Sequence, residues 1–74
     1  MSKNIKSLLK QLGFSDREQL VFIALSQMGE ARAQDIAHKT YLPRTTVASI
    51  LDRLKEKGFV IINKVKGKFV YWIE

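Results

Sequence analysis

One short segment combines hydroxyl and guanidinium side chains in a way that suits binding to a polyanion. Residues 43–49 read PRTTVAS and bring together Arg44, Thr45, Thr46 and Ser49. Short hydroxyl side chains let a backbone approach base edges closely, and arginine donates hydrogen bonds to guanine or to phosphate. The net charge of +6 and the pI near 9.9 favour the same class of partner. The segment is therefore a candidate surface for reading DNA.

The residues around this segment predict a helix over residues 43–57. Pro43 suits a first helical position and Gly58 suits a helix end. At about 100° per residue, Thr45 and Ser49 project opposite one apolar stripe. That stripe consists of Val47, Ile50, Leu51 and Leu54, and the flanking positions hold Arg44, Thr46 and Arg53.

The elements on either side complete a known arrangement. Residues 33–40, AQDIAHKT, predict a short helix that is broken by YLP. After residue 58 the pattern changes to two β-branched and aromatic runs, FVIINKV and KFVYWI, which predict a hairpin turned near Gly67. Lysines at 64, 66 and 68 make its tip basic. A short helix, a tight turn, a second helix and a basic hairpin indicate a helix-turn-helix with a wing.

Two further helices precede this unit. Residues 2–12 carry Ile5, Leu8, Leu9 and Leu12 at helical spacing, and Gly13 suits the end of that helix. Ser15 and Glu18 have the spacing of a capping box, which predicts a mostly buried helix from Asp16 to about Met28. The predicted fold is mainly α with a small β-hairpin, in the order α-α-α-α-β-β. We expect one domain over residues 1–74, with an N-terminal helix (1–13), a helix-turn-helix (33–58) and a wing (59–74).

Composition argues against several other functions. The chain has no cysteine, and its longest apolar run, LVFIAL, is far shorter than a membrane span. His38 is the only histidine and has no carboxylate placed to orient it, so an exposed helix histidine is the favoured interpretation. The sequence also shows no nucleophilic side chain paired with a general base. We therefore expect no enzyme activity, no cofactor and no metal. The expected location is the cytoplasm, without membrane binding.

The segments LGFSDREQLVFIAL and ARAQDIAHKTYLPRTTVASILDRLKEKGFV, together with the closing hairpin, carry a family resemblance. They resemble the N-terminal winged-helix domain of TrmB-type transcriptional regulators and, more distantly, MarR-type domains. The resemblance implies a DNA-binding transcription factor that is usually dimeric. It matches Arg44, Thr45, Thr46 and Ser49 to the recognition helix, and Lys66 and Lys68 to the wing tip. Members of the family commonly continue into a coiled coil and a sugar-binding domain, which these 74 residues do not contain.

The expected partner is double-stranded DNA, with the recognition helix in the major groove and the wing on the backbone or in the adjacent minor groove. Lys39, Arg53 and Lys64 are expected to hold phosphates. Arg32 stands where such domains often have a capping Ser or Thr, and it either meets a phosphate or remains solvated.

The hairpin is apolar on both faces, although only one face can cover the core. The second face, assigned to Tyr71, Trp72 and Ile73, is covered either by the N-terminal helix or by a second subunit, and both hold if that helix is itself the dimer element. A homodimer through the N-terminal helix, the hairpin face or both is expected. The alternative function is a winged-helix module that binds another protein through its apolar hairpin.

Overall fold

A computed structural model describes residues 5–74, which form four helices and one antiparallel sheet. The elements are α1 (Ile5–Gln11), α2 (Asp16–Met28), β1 (Glu30–Ala31), α3 (Ala33–Thr40), α4 (Arg44–Glu56), β2 (Val60–Val65) and β3 (Lys68–Ile73). Helices α3 and α4 form the helix-turn-helix, and the β2–β3 hairpin is the wing. The predicted winged helix-turn-helix fold is confirmed. The predicted part of the first helix before Ile5 lies outside the described residues.

The sheet contains one strand more than the sequence predicted. Strand β1 lies between α2 and α3 and pairs with β3, with Glu30 opposite Trp72 and Ala31 opposite Tyr71. The strand order is β1-β3-β2, so β3 is central. A strand of two residues is too short for a period-2 pattern, which is why the sequence did not reveal it.

The core forms where α2, α3 and α4 meet the sheet. Side chains with less than 2% exposure come from all three helices: Val21, Leu25, Ile36, Val47, Ile50, Leu51 and Leu54. Burial of an aliphatic side chain of this size contributes about 1.5–3 kcal/mol before entropy is counted. The apolar stripe predicted for α4 is thus its buried face, which leaves the opposite face open.

The predicted start and end signals act as expected, with one shift. Ser15 caps α2 through a complete capping box: its Oγ accepts from Glu18 N at 3.2 Å, and Glu18 Oε1 accepts from Ser15 N at 2.9 Å. At the end of α4, Gly58 has φ +88, a conformation that glycine adopts readily. Pro43 precedes α4 as its cap instead of opening it, because its ψ of 144 is extended. The helix therefore begins at Arg44.

Helix α1 buries only one of its four predicted apolar residues. Leu9 joins the core, whereas Ile5, Leu8 and Leu12 are each about half exposed. The helix packs mainly on α2 and has no extensive contact with the hairpin strands. The suggestion that α1 covers the second hairpin face is therefore not supported, and α1 presents an apolar stripe of its own.

The two faces of the hairpin differ from the prediction at Tyr71 and at Ile73. Tyr71 is 6% exposed and lies on the core side, opposite Ile62, so it does not belong to the second face. Ile73, opposite Val60, also packs against the core. The second face consists of Ile61, Val70 and Trp72, all half-buried. These three residues are called the outer sheet face below.

Candidate nucleic-acid interface

The open face of α4 carries the predicted hydroxyl side chains. Thr45 and Ser49 are exposed, and Thr46 is partly exposed beside the fully buried Val47. Asp52 and Glu56 are exposed further along the same helix. The first two turns of α4 are therefore uncharged apart from Arg44, and a DNA duplex would meet the carboxylates only beyond them.

A basic cleft borders this face. It has a volume of about 380 Å³ and lies where the first turns of α3 and α4 meet the wing turn. Three predicted DNA-binding residues line it: Arg32, Arg44 and Lys68. Its remaining lining residues contribute no carboxylate: Ala33, Gln34, Ala48, Gly67, Phe69 and Tyr71. Residues from three separate elements thus converge on one concave cationic surface of the kind that phosphate groups occupy.

Tyr71 lies in the cleft wall with its ring mostly buried. Burial raises the pKa of its phenol, and the negative charge of Asp52 raises it further. The hydroxyl therefore stays protonated at neutral pH and adds no negative charge to the cleft.

Arg32 is held at the start of α3 by Asp35. The Asp35 carboxylate oxygen Oδ2 accepts from Arg32 N at 3.2 Å and lies 3.5 Å from Arg32 Nε. Arg32 makes no side-chain cap, as its lack of an acceptor predicts, and Asp35 instead satisfies one open amide of the helix start. The Arg32 guanidinium remains partly exposed beside the cleft.

Arg53 lies on a different side of α4 from Arg44. Arg44 lines the cleft with wing residues, whereas Arg53 Nε donates to Glu18 Oε2 at 3.3 Å. Lys57 Nζ lies 3.6 Å from the same oxygen. Glu18 is buried, and its pKa is lowered first by the hydrogen bond from the Ser15 backbone and then, against the opposing effect of burial, by Lys57 and Arg53. The structure does not bring Arg53 together with the cleft residues.

The wing presents three exposed lysines around a tight turn. Lys66 and Gly67 have φ values of 52 and 79, as in the type I′ turns that connect two-residue hairpins. Lys64 Nζ lies 5.6 Å from the centroid of the Phe69 ring, a cation–π contact on the cleft side. Lys68 reaches the basic cleft, while Lys66 forms the tip.

Lys39 lies away from the cleft. It is exposed near the end of α3 and lines a second depression with Lys6 and Tyr41. The sequence interpretation did not single out Gln34 or Phe69, which line the basic cleft. Gln34 is exposed in the first turn of α3. Its polar side chain at that position was the sequence feature that could have identified it as a surface residue.

Residues 5–74 hold no group of three or more side chains able to bind a metal ion. None of the helices in this range is long and apolar enough to cross a membrane. His38 is exposed on α3.

Comparison with known proteins places the chain among transcriptional regulators. Residues 9–73 match the family described as sugar-specific transcriptional regulator TrmB. Over 62 residues the chain is 29% identical to the HTH-type sugar sensing transcriptional regulator TrmBL1 of Pyrococcus furiosus. The matched region covers 84% of this chain and 18% of that protein. The chain thus spans about a fifth of the length of this relative.

Solved structures share the fold at low sequence identity. The YusO protein of Bacillus subtilis superposes with a TM-score of 0.81 at 16% identity, over 89% of this chain and 49% of that one. NMB1585, a MarR family regulator from Neisseria meningitidis, gives a TM-score of 0.74 at 18% identity, over 92% and 50% of the two chains. Because the family match extends over most of the sequence, the chain belongs to the TrmB family of transcriptional regulators.

Proposed function

We propose that this protein binds double-stranded DNA in a sequence-specific manner as a transcriptional regulator of the cytoplasm, and that it does so without catalysis. Helix α4 enters the major groove with its first two turns, so that Thr45, Thr46 and Ser49 face base edges. The observation that carries this proposal is the basic cleft beside an uncharged, exposed helix face.

The cationic residues divide into roles by position. Arg44 reaches a guanine edge or a phosphate, and Arg32 and Lys68 hold phosphate from the cleft. Lys64 and Lys66 contact the backbone or the adjacent minor groove from the wing. Lys39 and Arg53 lie outside the cleft and serve as peripheral phosphate contacts. Arg53 makes its contact through the guanidinium N–H groups that do not bind Glu18.

The DNA-binding form is proposed to be a homodimer. Ile5 and Leu8 on α1, with Leu12 directly after it, expose an apolar stripe, and the outer sheet face provides a second apolar surface. In a two-fold dimer the two α4 helices would contact DNA half-sites about 34 Å apart.

The first test is fluorescence anisotropy of a labelled mixed-sequence duplex across a salt series. The affinity should fall with a log–log slope of about −0.9 per neutralised phosphate, with several phosphates involved. Lys10→Ala is the matched control, because Lys10 is exposed on α1 and has no proposed contact. A protein that shows no binding even at low salt would contradict the proposal.

Base reading requires a second test. A preferred site is first selected from randomised duplexes, and Thr45→Ala and Ser49→Ala are then compared on selected and mixed duplexes. We expect weaker binding to the selected site and an unchanged salt slope, since neither residue is charged.

The outer sheet face supports a second candidate, a module that binds another protein. Trp72, Ile61 and Val70 are half-buried but do not pack against the core. Under this alternative Trp72→Gln abolishes binding of the partner protein, and Arg44→Ala leaves that binding intact. Circular dichroism verifies that both variants fold.

A further inference from the structure

Tyr41 combines near-complete exposure with a backbone conformation that aromatic residues avoid. It is 94% exposed, and its φ of 61 and ψ of 26 are left-handed. In this region the Cβ of an L-residue crowds a carbonyl oxygen, so glycine or asparagine is the usual occupant. Burial of the ring does not offset the strain. Strained, exposed residues of this kind occur preferentially at functional sites.

The surrounding residues hold the turn in this conformation. Tyr41 N donates to the Ala37 carbonyl oxygen at 2.9 Å, and Thr40 Oγ1 donates to the Ile36 carbonyl oxygen at 2.8 Å. On the other side, Leu42 packs against the core and Pro43 fixes its own φ at −59. Tyr41 is therefore presented at a fixed position, three residues before Arg44.

The depression that Tyr41 lines holds two lysines on a largely apolar surface. Lys6 and Lys39 line the same depression, and no carboxylate is among its remaining lining residues: Leu20, Ile23, Ala24, Gln27 and Thr40. A tyrosine can pack its ring on a deoxyribose and donate its hydroxyl hydrogen to a phosphate oxygen. The exposed phenol and the two lysines beside it are therefore the groups that suit a sugar-phosphate backbone.

Lys66 provides an internal parallel. Among residues 5–74, Tyr41 and Lys66 are the two non-glycine residues with positive φ, and both are exposed. One lies in the turn before α4 and the other in the wing turn. Lys66 already belongs to the proposed DNA surface, so the other non-glycine residue with this conformation lies at a turn of that surface.

We propose that Tyr41 is a further contact to the DNA backbone, which positions the first turn of α4 in the groove. This inference rests on the proposed DNA-binding function. Because the contact is uncharged, it should contribute affinity without contributing to the salt dependence of binding.

The experiment compares wild type, Tyr41→Gly, Tyr41→Phe and Arg44→Ala by anisotropy over the salt series and by urea denaturation. Tyr41→Gly should raise the denaturation midpoint, because glycine relieves the strain, and yet weaken binding by about 3- to 10-fold. Tyr41→Phe, which keeps the ring, should lose about 2- to 5-fold through the hydroxyl alone. Both should keep the wild-type salt slope, whereas Arg44→Ala should reduce its magnitude by about 0.9.

The outcomes separate this inference from the proposed function. If both Tyr41 variants bind like wild type while Arg44→Ala is weakened, the Tyr41 contact is wrong and the proposed function stands. If Tyr41→Gly lowers both stability and affinity while Tyr41→Phe binds like wild type, Tyr41 has only a structural role and the inference fails. If wild type does not bind the duplex at low salt, both proposals are overturned.

Discussion

Arg53 Nε on α4 lies 3.3 Å from Oε2 of Glu18, a buried carboxylate in the first turn of α2. The two residues are 35 positions apart in the sequence. Glu18 also accepts from the Ser15 backbone, so one side chain both closes the start of α2 and connects α2 to α4. The orientation of α4 relative to the central helix therefore depends in part on an ionised carboxylate.

Acid should weaken this connection. The pKa of Glu18 is lowered in the folded protein from an ordinary value of 4.5, chiefly by the Ser15 backbone hydrogen bond. A carboxylate with a lowered pKa stabilises the fold above its unfolded pKa, and the contribution is lost as pH falls through the folded pKa. We expect urea denaturation to show a decline in the free energy of unfolding below about pH 4.5 that Glu18→Gln reduces.

Glu18→Gln should also cost about 1 kcal/mol at pH 7, because the ion pairs are lost while the amide oxygen can still accept from Ser15 N. Asp16→Asn, an exposed change in the same helical turn, is the control. Equal pH profiles for wild type and Glu18→Gln would contradict this account.

Substitutions of Arg44 and Arg53 should have different effects on DNA binding and on the free energy of unfolding. Arg44→Ala should reduce the magnitude of the salt slope by about 0.9 and change the free energy of unfolding by less than about 0.5 kcal/mol, because Arg44 is exposed. Arg53→Ala should lower the free energy of unfolding by about 0.5–1 kcal/mol through the loss of its pair with Glu18, with a smaller effect on the slope. Anisotropy and urea denaturation of both variants measure this. The assignment of roles fails if Arg53→Ala reduces DNA affinity more than Arg44→Ala.

The apolar stripe of α1 should determine the oligomeric state. Leu8 and Leu12 are 58% and 55% exposed, so changing both to Gln should leave the folded monomer nearly as stable. Analytical ultracentrifugation should show a dimer for wild type and a monomer for this double variant. Trp72→Gln is the parallel test of the outer sheet face. If all three proteins sediment as the same species, neither surface forms a dimer contact.

A side chain at Gly58 should destabilise the fold because of the backbone angles of this position. A Cβ at this position would meet no atom within 4 Å, so the cost of Gly58→Ala comes from its φ of +88 alone. We expect a loss of about 1–2 kcal/mol in the free energy of unfolding. Ala48→Gly, within α4, is a comparison in which glycine should cost about 0.5–1 kcal/mol. A neutral Gly58→Ala variant would show that the end of α4 can adopt another backbone conformation.

The four helices and most of their end signals could be predicted because those signals are local, although α4 begins one residue later than predicted. The apolar spacing of Val47, Ile50, Leu51 and Leu54 identified the buried face of α4, and the Ser15–Glu18 spacing identified the start of α2. The exposed face of α4 followed from the same periodicity, since residues opposite a buried stripe must be exposed.

What the sequence did not predict depends on contacts between distant residues. The pairing of β1 with β3, the inward position of Tyr71 and the pairing of Arg53 with Glu18 each join segments that lie far apart in the chain. No spacing rule within one element specifies which neighbour an exposed arginine will meet. The basic cleft is of this kind too, because three elements contribute to it.

The central position of β3 also constrains the order of folding. Strand β1 has its partner only in residues 71 and 72, so the sheet closes when the last strand pairs on both of its edges. During synthesis, a ribosome that has released α4 has not yet released the strand that joins the wing to the body of the domain. The nascent chain would thus hold a complete α4 before the sheet beside it exists, so the basic cleft should form only after β3 has paired.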